Sequence, residues 1–173
     1  MRAVFFDRDG TLMEETNYCN DPAKVRVFTG VPEALGRLKR AGFGVFVVSN
    51  QSGIGRGWIT GEQHRAVQAE FLRQVGPGLV DASYYCPDVP GTPSECRKPE
   101  PGMVLRAAAE HGIELGGSYF VGDKAADVEC GRRAGTRTIL VRTGYGAGES
   151  CEADWVCADS VAAVNVILDA ANL

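Results

Sequence analysis

A chain of 173 residues with 45% hydrophobic and 23% charged residues has the size and composition to fold around one sizeable core. Its formal net charge of -4 gives no support for a nucleic-acid or anionic-membrane partner, and no apolar run approaches bilayer-spanning length. No basic leader precedes the first strand pattern, so a cytoplasmic, monomeric, single-domain protein (residues 1–173) acting on a small molecule is expected.

Ala3-Val4-Phe5-Phe6 reads as a short buried strand, and Asp7 is the first residue off its end. Asp7-Arg8-Asp9-Gly10-Thr11 sets paired carboxylates at a strand's carboxyl edge, where open α/β sheets place their chemistry. A plain strand-to-turn reading needs only one Asp and a Gly, which leaves the second acid unexplained. A calcium loop fails on spacing, because Thr11 replaces the third acid and no Glu closes the loop. A polar stretch, 13–29, follows.

A helix is expected from about Val31 to Ala41, with Pro32 in its first turn and Gly42 as its stop. Gly44–Val48 is the second buried strand, and a Gly-rich loop runs from Ser49 to Ile59. Thr60 and Gln63 make a capping box for a helix to about Val75. Val80–Tyr85 is a third strand, followed by a Pro/Gly-rich loop from Cys86 to Pro101 and a helix from Gly102 to His111. Ser118–Val121, a helix over Ala125–Ala134 and Arg137–Val141 continue the alternation. The tail holds a short apolar piece at Trp155-Val156 and a helix from Ser160 to Ala171. Strands alternating with helices imply a three-layer, Rossmann-like α/β fold: a parallel sheet, helices on both faces, right-handed crossovers.

The chemistry gathers at four places along this alternation. A carboxylate at Asp7 can attack phosphorus, and Asp9 can protonate the leaving oxygen and then activate water. Ser49-Asn50, ending the second strand, offers a hydroxyl and loop N–H groups to phosphoryl oxygens, although Ser-Asn is also common in turns. Arg97-Lys98-Pro99-Glu100-Pro101 stiffens a lysine between prolines, where an ammonium would offset negative charge; a solvated basic pair is the plainer reading. In Gly122-Asp123-Lys124-Ala125-Ala126-Asp127, Asp123 can ligate a divalent cation and Asp127, one helical turn on, can hold its neighbourhood. Oxygen donors favour magnesium; the alternative for Asp123 is a helix cap. All four places, in this order and three of them at strand ends, are poorly explained as turns.

Of the six cysteines, Cys130 and Cys157 are expected in the core, and free thiols are expected throughout. Cys86 and Cys96 alone form a pair worth a metal hypothesis. His64 and His111 are expected at surfaces or helix ends, and Tyr18 either beside the substrate or packed in its loop.

These segments together resemble the haloacid dehalogenase superfamily of phosphatases: Asp7-x-Asp9-Gly10-Thr11, Ser49, Lys98, and Gly122-Asp123 with Asp127. The resemblance implies a strand order of three-two-one-four-five and an aspartyl-phosphate mechanism. It makes Asp7 the nucleophile and Asp9 the acid/base, with Ser49 and Lys98 on the phosphoryl group. Magnesium would be held by the Asp7 carboxylate, the Asp9 carbonyl and Asp123. The runs Ser49–Gly57, Tyr84–Pro87, Cys96–Pro99, Val141–Gly144 and Ala153–Val156 are similar to the branch acting on heptose bisphosphates; a histidinol-phosphate branch is the runner-up. Both branches carry a zinc loop with a Cys-x-His and a Cys-x-Cys pair. Here Asp88 and Ser94 stand at two of those positions, so structural zinc on Cys86 and Cys96 is not expected. No insertion is long enough for a cap, which leaves an open site with specificity in loops 13–24, 52–58 and 86–97. Substrate contacts are assigned to Thr11, Asn50, Ser52, Arg56, Arg97 and Lys124. A lapsed enzyme kept as a binding protein is the competing class, and the four intact charged residues argue against it.

Overall fold

The structure, a computed structural model, describes residues 1–171; the last two positions of the expected 1–173 span lie outside the described residues. Six strands form one sheet: β1 (Ala3–Phe6), β2 (Gly44–Asn50), β3 (Ala82–Cys86), β4 (Tyr119–Gly122), β5 (Arg137–Val141) and β6 (Trp155–Cys157). Their order is β3-β2-β1-β4-β5-β6, and every neighbouring pair is parallel. The expected order of the first five is present. The Trp155-Val156 piece proves to be a sixth strand, pairing Leu140 with Val156. Asp154 pins it there, accepting from the Thr138 N–H at 2.7 Å and its hydroxyl at 3.0 Å.

Six helices flank the sheet: α1 (Val31–Arg40), α2 (Ser52–Gly55), α3 (Gly61–Val75), α4 (Gly102–His111), α5 (Ala125–Ala134) and α6 (Ser160–Ala170). Side-chain alternation splits the core in two. Val4, Phe6, Val45, Val47 and Val121 pack under α1, α3 and α6, while Phe5, Phe46 and Phe120 pack under α4 and α5. Because both faces are covered, β1 reads as an unbroken apolar run rather than an alternating one. Phe5 is fully buried between Phe46 and Phe120, so Phe5→Ala should cost about 3–5 kcal/mol.

α3 starts as its capping box dictates: Gln63 N–H donates to the Thr60 hydroxyl at 3.1 Å, and Thr60 N–H to the Gln63 side chain at 2.9 Å. α2, a single turn, stands where a loop was expected. Its close packing requires Gly55, where a Cβ would meet the Pro87 carbonyl oxygen at 2.3 Å. Between β1 and β2 lie only a short 3-10 turn (Pro22–Lys24) and α1, and between β2 and β3 only α2 and α3. No cap insertion covers the sheet's carboxyl edge among the described residues.

Two expectations are corrected. Cys86 and Cys96 are joined in a disulfide, with Cα atoms 5.6 Å apart, instead of remaining free thiols. β3 ends at Cys86, and a loop with prolines at 87, 90 and 93 folds Cys96 back onto it. Asp88 comes with them: the Ser94 hydroxyl donates to Asp88 Oδ2 at 2.6 Å, and ligand atoms of Cys86, Asp88 and Cys96 lie within 4.8 Å of one another. His64 is the second correction: it is buried, not at the surface, with its ring centroid 4.1 Å from that of Tyr85. Cys130 and Cys157 are buried as expected.

Candidate active site

The parallel order places the carboxyl ends of β1, β2 and β4 side by side, which brings together Asp7, Ser49-Asn50 and Gly122-Asp123 from distant parts of the chain. Lys98 enters from the loop before α4 and is 4% exposed. Its ammonium donates to Asp7 Oδ1 at 2.8 Å and to the Val48 carbonyl at 2.8 Å, and lies 2.7 Å from Asp127 Oδ1. The Asn50 amide holds the lysine's backbone from both sides, accepting from Lys98 N–H at 2.9 Å and donating to its carbonyl at 3.1 Å. Burial alone would lower the Lys98 pKa; the carboxylates of Asp127 and Asp7 outweigh it and raise it.

Asp123 is completely buried at the end of β4. It accepts from the Thr11 hydroxyl at 3.3 Å and from the Tyr145 N–H at 2.9 Å. Burial, then the charges of Asp7 and Asp127, push its carboxyl well above the usual carboxylate range. Asp127 is likewise raised by burial, against the pull of Lys98. With two carboxylates on a single ammonium we take the Lys98–Asp127 pair as ionised, and the excess negative charge as lying toward Asp7 and Asp123.

That excess is what a divalent cation would offset. Asp7, Asp123 and Asp127 present carboxylate oxygens within 4.8 Å of one another, all buried. Lys98 and the partly buried Lys124 are the cations facing them, so three acids meet two bases. An all-oxygen, carboxylate-rich set fits magnesium rather than a softer ion. Gly10 keeps the space open: its φ is +84°, and a Cβ there would stand 2.3 Å from Asp123 Oδ2.

These groups face a cavity of about 230 Å³. Of the residues singled out from sequence, Asp7, Asp9, Tyr18, Asn50, Ser52, Arg97, Lys98, Lys124 and Asp127 line it. Ser49 is buried behind the wall, its hydroxyl accepting from Gln51 Nε2 at 2.5 Å. Thr11, expected to contact substrate, is buried with its hydroxyl committed to Asp123, so it does not face the cavity. Arg56 is exposed on the rim above the Trp58 ring, 4.9 Å from its centroid, and Tyr18 meets Trp58 edge-on at 4.8 Å. The Arg97 pKa is lowered, first by burial and then by the charge of Arg56, which puts two guanidinium groups within electrostatic reach at the mouth.

Sequence reasoning passed over Arg8, Gln51, Glu15 and Tyr145. Gln51 Nε2 donates to Asp9 Oδ2 at 3.0 Å, and Arg8 Nε reaches the same oxygen at 3.0 Å. Glu15 lines the cavity, its carboxyl raised by burial and then by Asp9. It accepts the Asn17 N–H at 2.7 Å, in a turn where Asn17 and Tyr18 take φ of 56° and 59°. Two consecutive non-glycine residues in the left-handed region are held by surrounding structure, and such strain concentrates at binding sites. The signal available in sequence was an acid in the loop directly after the Asp-x-Asp motif.

The sheet order and the acid–lysine cluster at its carboxyl edge define a hydrolase of the haloacid dehalogenase type, and the chain belongs to that family. A family model described as HAD-hydrolase-like matches residues 95–165. Relatives extend the match: a D-glycero-D-manno-heptose-1,7-bisphosphate 7-phosphatase of Chlorobaculum tepidum is 36% identical, covering 93% of this chain and 88% of its own. The D-glycero-beta-D-manno-heptose-1,7-bisphosphate 7-phosphatase of Yersinia pestis is 39% identical, over 89% of this chain and 88% of that one. Among solved structures, the D,D-heptose 1,7-bisphosphate phosphatase of B. bronchiseptica, complexed with magnesium and phosphate, has a TM-score of 0.90 and 31% identity, over 98% of this chain and 99% of its own.

Proposed function

We propose that this chain is a magnesium-dependent phosphatase that removes the 7-phosphate of D-glycero-D-manno-heptose 1,7-bisphosphate in the cytoplasm, acting as a monomer in heptose biosynthesis. The observation carrying the chemistry is the buried Asp7–Lys98–Asp127 bridge, with Asp123 behind it and Asp9 at the cavity. The names of its relatives supply the substrate.

In this reading an Asp7 oxygen attacks phosphorus, and the bond to the C7 oxygen breaks as Asp9 delivers a proton to that oxygen. Asp9 then takes a proton from the water that cleaves the aspartyl-phosphate, which returns Asp7 and inorganic phosphate. Lys98 neutralises Asp7 and the transferring group. Asp7, the Asp9 carbonyl and Asp123 would hold magnesium, whose charge would offset the phosphoryl oxygens. Asn50 is assigned to the phosphoryl pocket, chiefly by fixing the Lys98 backbone, and Ser49 to the layer behind it, where its hydroxyl holds Gln51.

Two arginines near the cavity favour a bisphosphate over histidinol phosphate. Arg97 on the wall and Arg56 on the rim suit a second phosphate, whereas the ammonium of histidinol would meet like charge. The test is magnesium-dependent phosphate release from the heptose bisphosphate beside histidinol phosphate and fructose 1,6-bisphosphate. A preference of about a hundredfold in kcat/KM for the heptose, some 2.7 kcal/mol, is expected. Comparable rates on all three would keep the phosphatase and discard the substrate.

A further inference from the structure

Arg8 sits inside the Asp7–Thr11 motif, and no step above uses it. Its side chain is 1% exposed, which makes it a large charged group inside the protein. A buried guanidinium facing one partly exposed carboxylate is a poor way to stabilise a fold, since an apolar side chain of similar volume usually does as well or better. Its contacts point to another purpose. Arg8 Nε donates to Asp9 Oδ2 at 3.0 Å, and Nη1 donates to Gln68 Oε1 at 3.0 Å. Gln68 in turn donates to the Ser83 hydroxyl on β3 at 3.0 Å, so the guanidinium is braced from behind by the sheet.

The two oxygens of Asp9 are treated unequally. Oδ2 receives good bonds from both Arg8 Nε and Gln51 Nε2, each at 3.0 Å. Among the described residues Oδ1 meets only Arg8 Nη2, at 3.5 Å, the outer limit of a hydrogen bond. Oδ1 is therefore the oxygen left to carry a proton and pass it on, while Oδ2 is tied down. We propose that Arg8, braced by Gln68, is a positioning residue that fixes the Asp9 carboxyl with Oδ1 toward the leaving group. The inference rests on Asp9 being the general acid, as proposed above.

Leaving-group chemistry separates this from a merely structural role. Departure of a sugar alkoxide needs a proton, whereas 4-nitrophenolate leaves without one, and kcat/KM reports the step in which it leaves. Three variants would be compared with the wild type on the heptose bisphosphate and on 4-nitrophenyl phosphate: Arg8→Met, Gln68→Met and, as a control, Asp9→Asn. Arg8→Met should lose about tenfold to a hundredfold in kcat/KM on the sugar phosphate and less than about threefold on the nitrophenyl ester. Gln68→Met, at a partly exposed position, should shift the same ratio by a smaller factor and keeps the test decisive if Arg8→Met fails to fold. Equal losses on both substrates, or no loss, in the folded variants would overturn the inference. If Asp9→Asn discriminates between leaving groups but the other two do not, only the role of Arg8 falls. If Asp9→Asn does not discriminate, the acid assignment itself fails and the role of Arg8 falls with it.

Discussion

At the strand edges the charged groups are buried and tied from several sides: Lys98 meets two carboxylates and a backbone carbonyl, and Asn50 grips its main chain. At the rim the pattern reverses. Tyr18 and Trp58 are 39% and 55% exposed, Tyr18 meets Trp58 edge-on, and Arg56 lies over the Trp58 ring. The centre is held by a sheet packed on both faces and by buried ion pairs, so its groups arrive preorganised. The rim is carried by loops and a one-turn helix, where a substitution changes what is bound more readily than whether chemistry occurs.

That contrast can be broken first at the centre. Lys98→Met leaves Asp7 and Asp127 facing each other in a buried site, so turnover should fall to background and stability by about 3–5 kcal/mol, read from denaturant unfolding. A stable, active variant would show that the ion bridge is dispensable. On the cavity wall, Arg97→Gln should raise KM for a sugar bisphosphate about tenfold to a hundredfold, with kcat within about threefold, because only the distal phosphate loses its partner. A fall in kcat instead would give Arg97 a part in the reaction itself.

A third effect sharpens the electrostatics. Asp123 holds its proton better folded than unfolded, since its pKa is raised by burial and by Asp7 and Asp127. Its contribution to stability is therefore greatest below the ordinary carboxylate range of about 4 and declines as pH climbs toward the raised value. The metal-free protein should lose Tm between about pH 5 and pH 8, and magnesium should restore more of it at the upper end. A magnesium-induced Tm gain independent of pH would contradict the excess-charge account. The smallest effect concerns the rim loop: alkylation without reduction should label Cys19, Cys130, Cys151 and Cys157 but not Cys86 or Cys96 in unfolded protein. Labelling of all cysteines would argue for the open pair instead.

The same division governs what could be read from residues alone. β1, β2, β4 and β5 were legible because strands covered on both faces are continuous apolar runs, Asp7, Asp9 and Asp123 because acids at strand ends exceed what a turn needs, and Lys98 as a lysine set beside prolines in the loop before α4. β6 was legible only as an apolar pair, since three residues carry no periodicity and its pairing depends on Asp154 reaching Thr138. α2 hid in glycines that normally signal a loop. Arg8 and Gln51 were missed because their meaning lies in distant partners, Gln68 and Asp9, which neither spacing nor composition encodes; Glu15 was missed although it closely follows the Asp-x-Asp motif. The Thr11 hydroxyl turns to Asp123, 112 residues along the chain, a partner that spacing does not show. The disulfide was missed because spacing does not show Cys86 and Cys96 folded against each other.

The measurement closest to the central claim is mass analysis of acid-quenched protein after mixing with magnesium and one equivalent of heptose bisphosphate. The account predicts one phosphoryl group on the peptide bearing Asp7, absent in Asp7→Asn, which should release no phosphate above background while unfolding near the wild-type midpoint. A phosphoryl group on another residue, or undiminished phosphate release from Asp7→Asn, would contradict it.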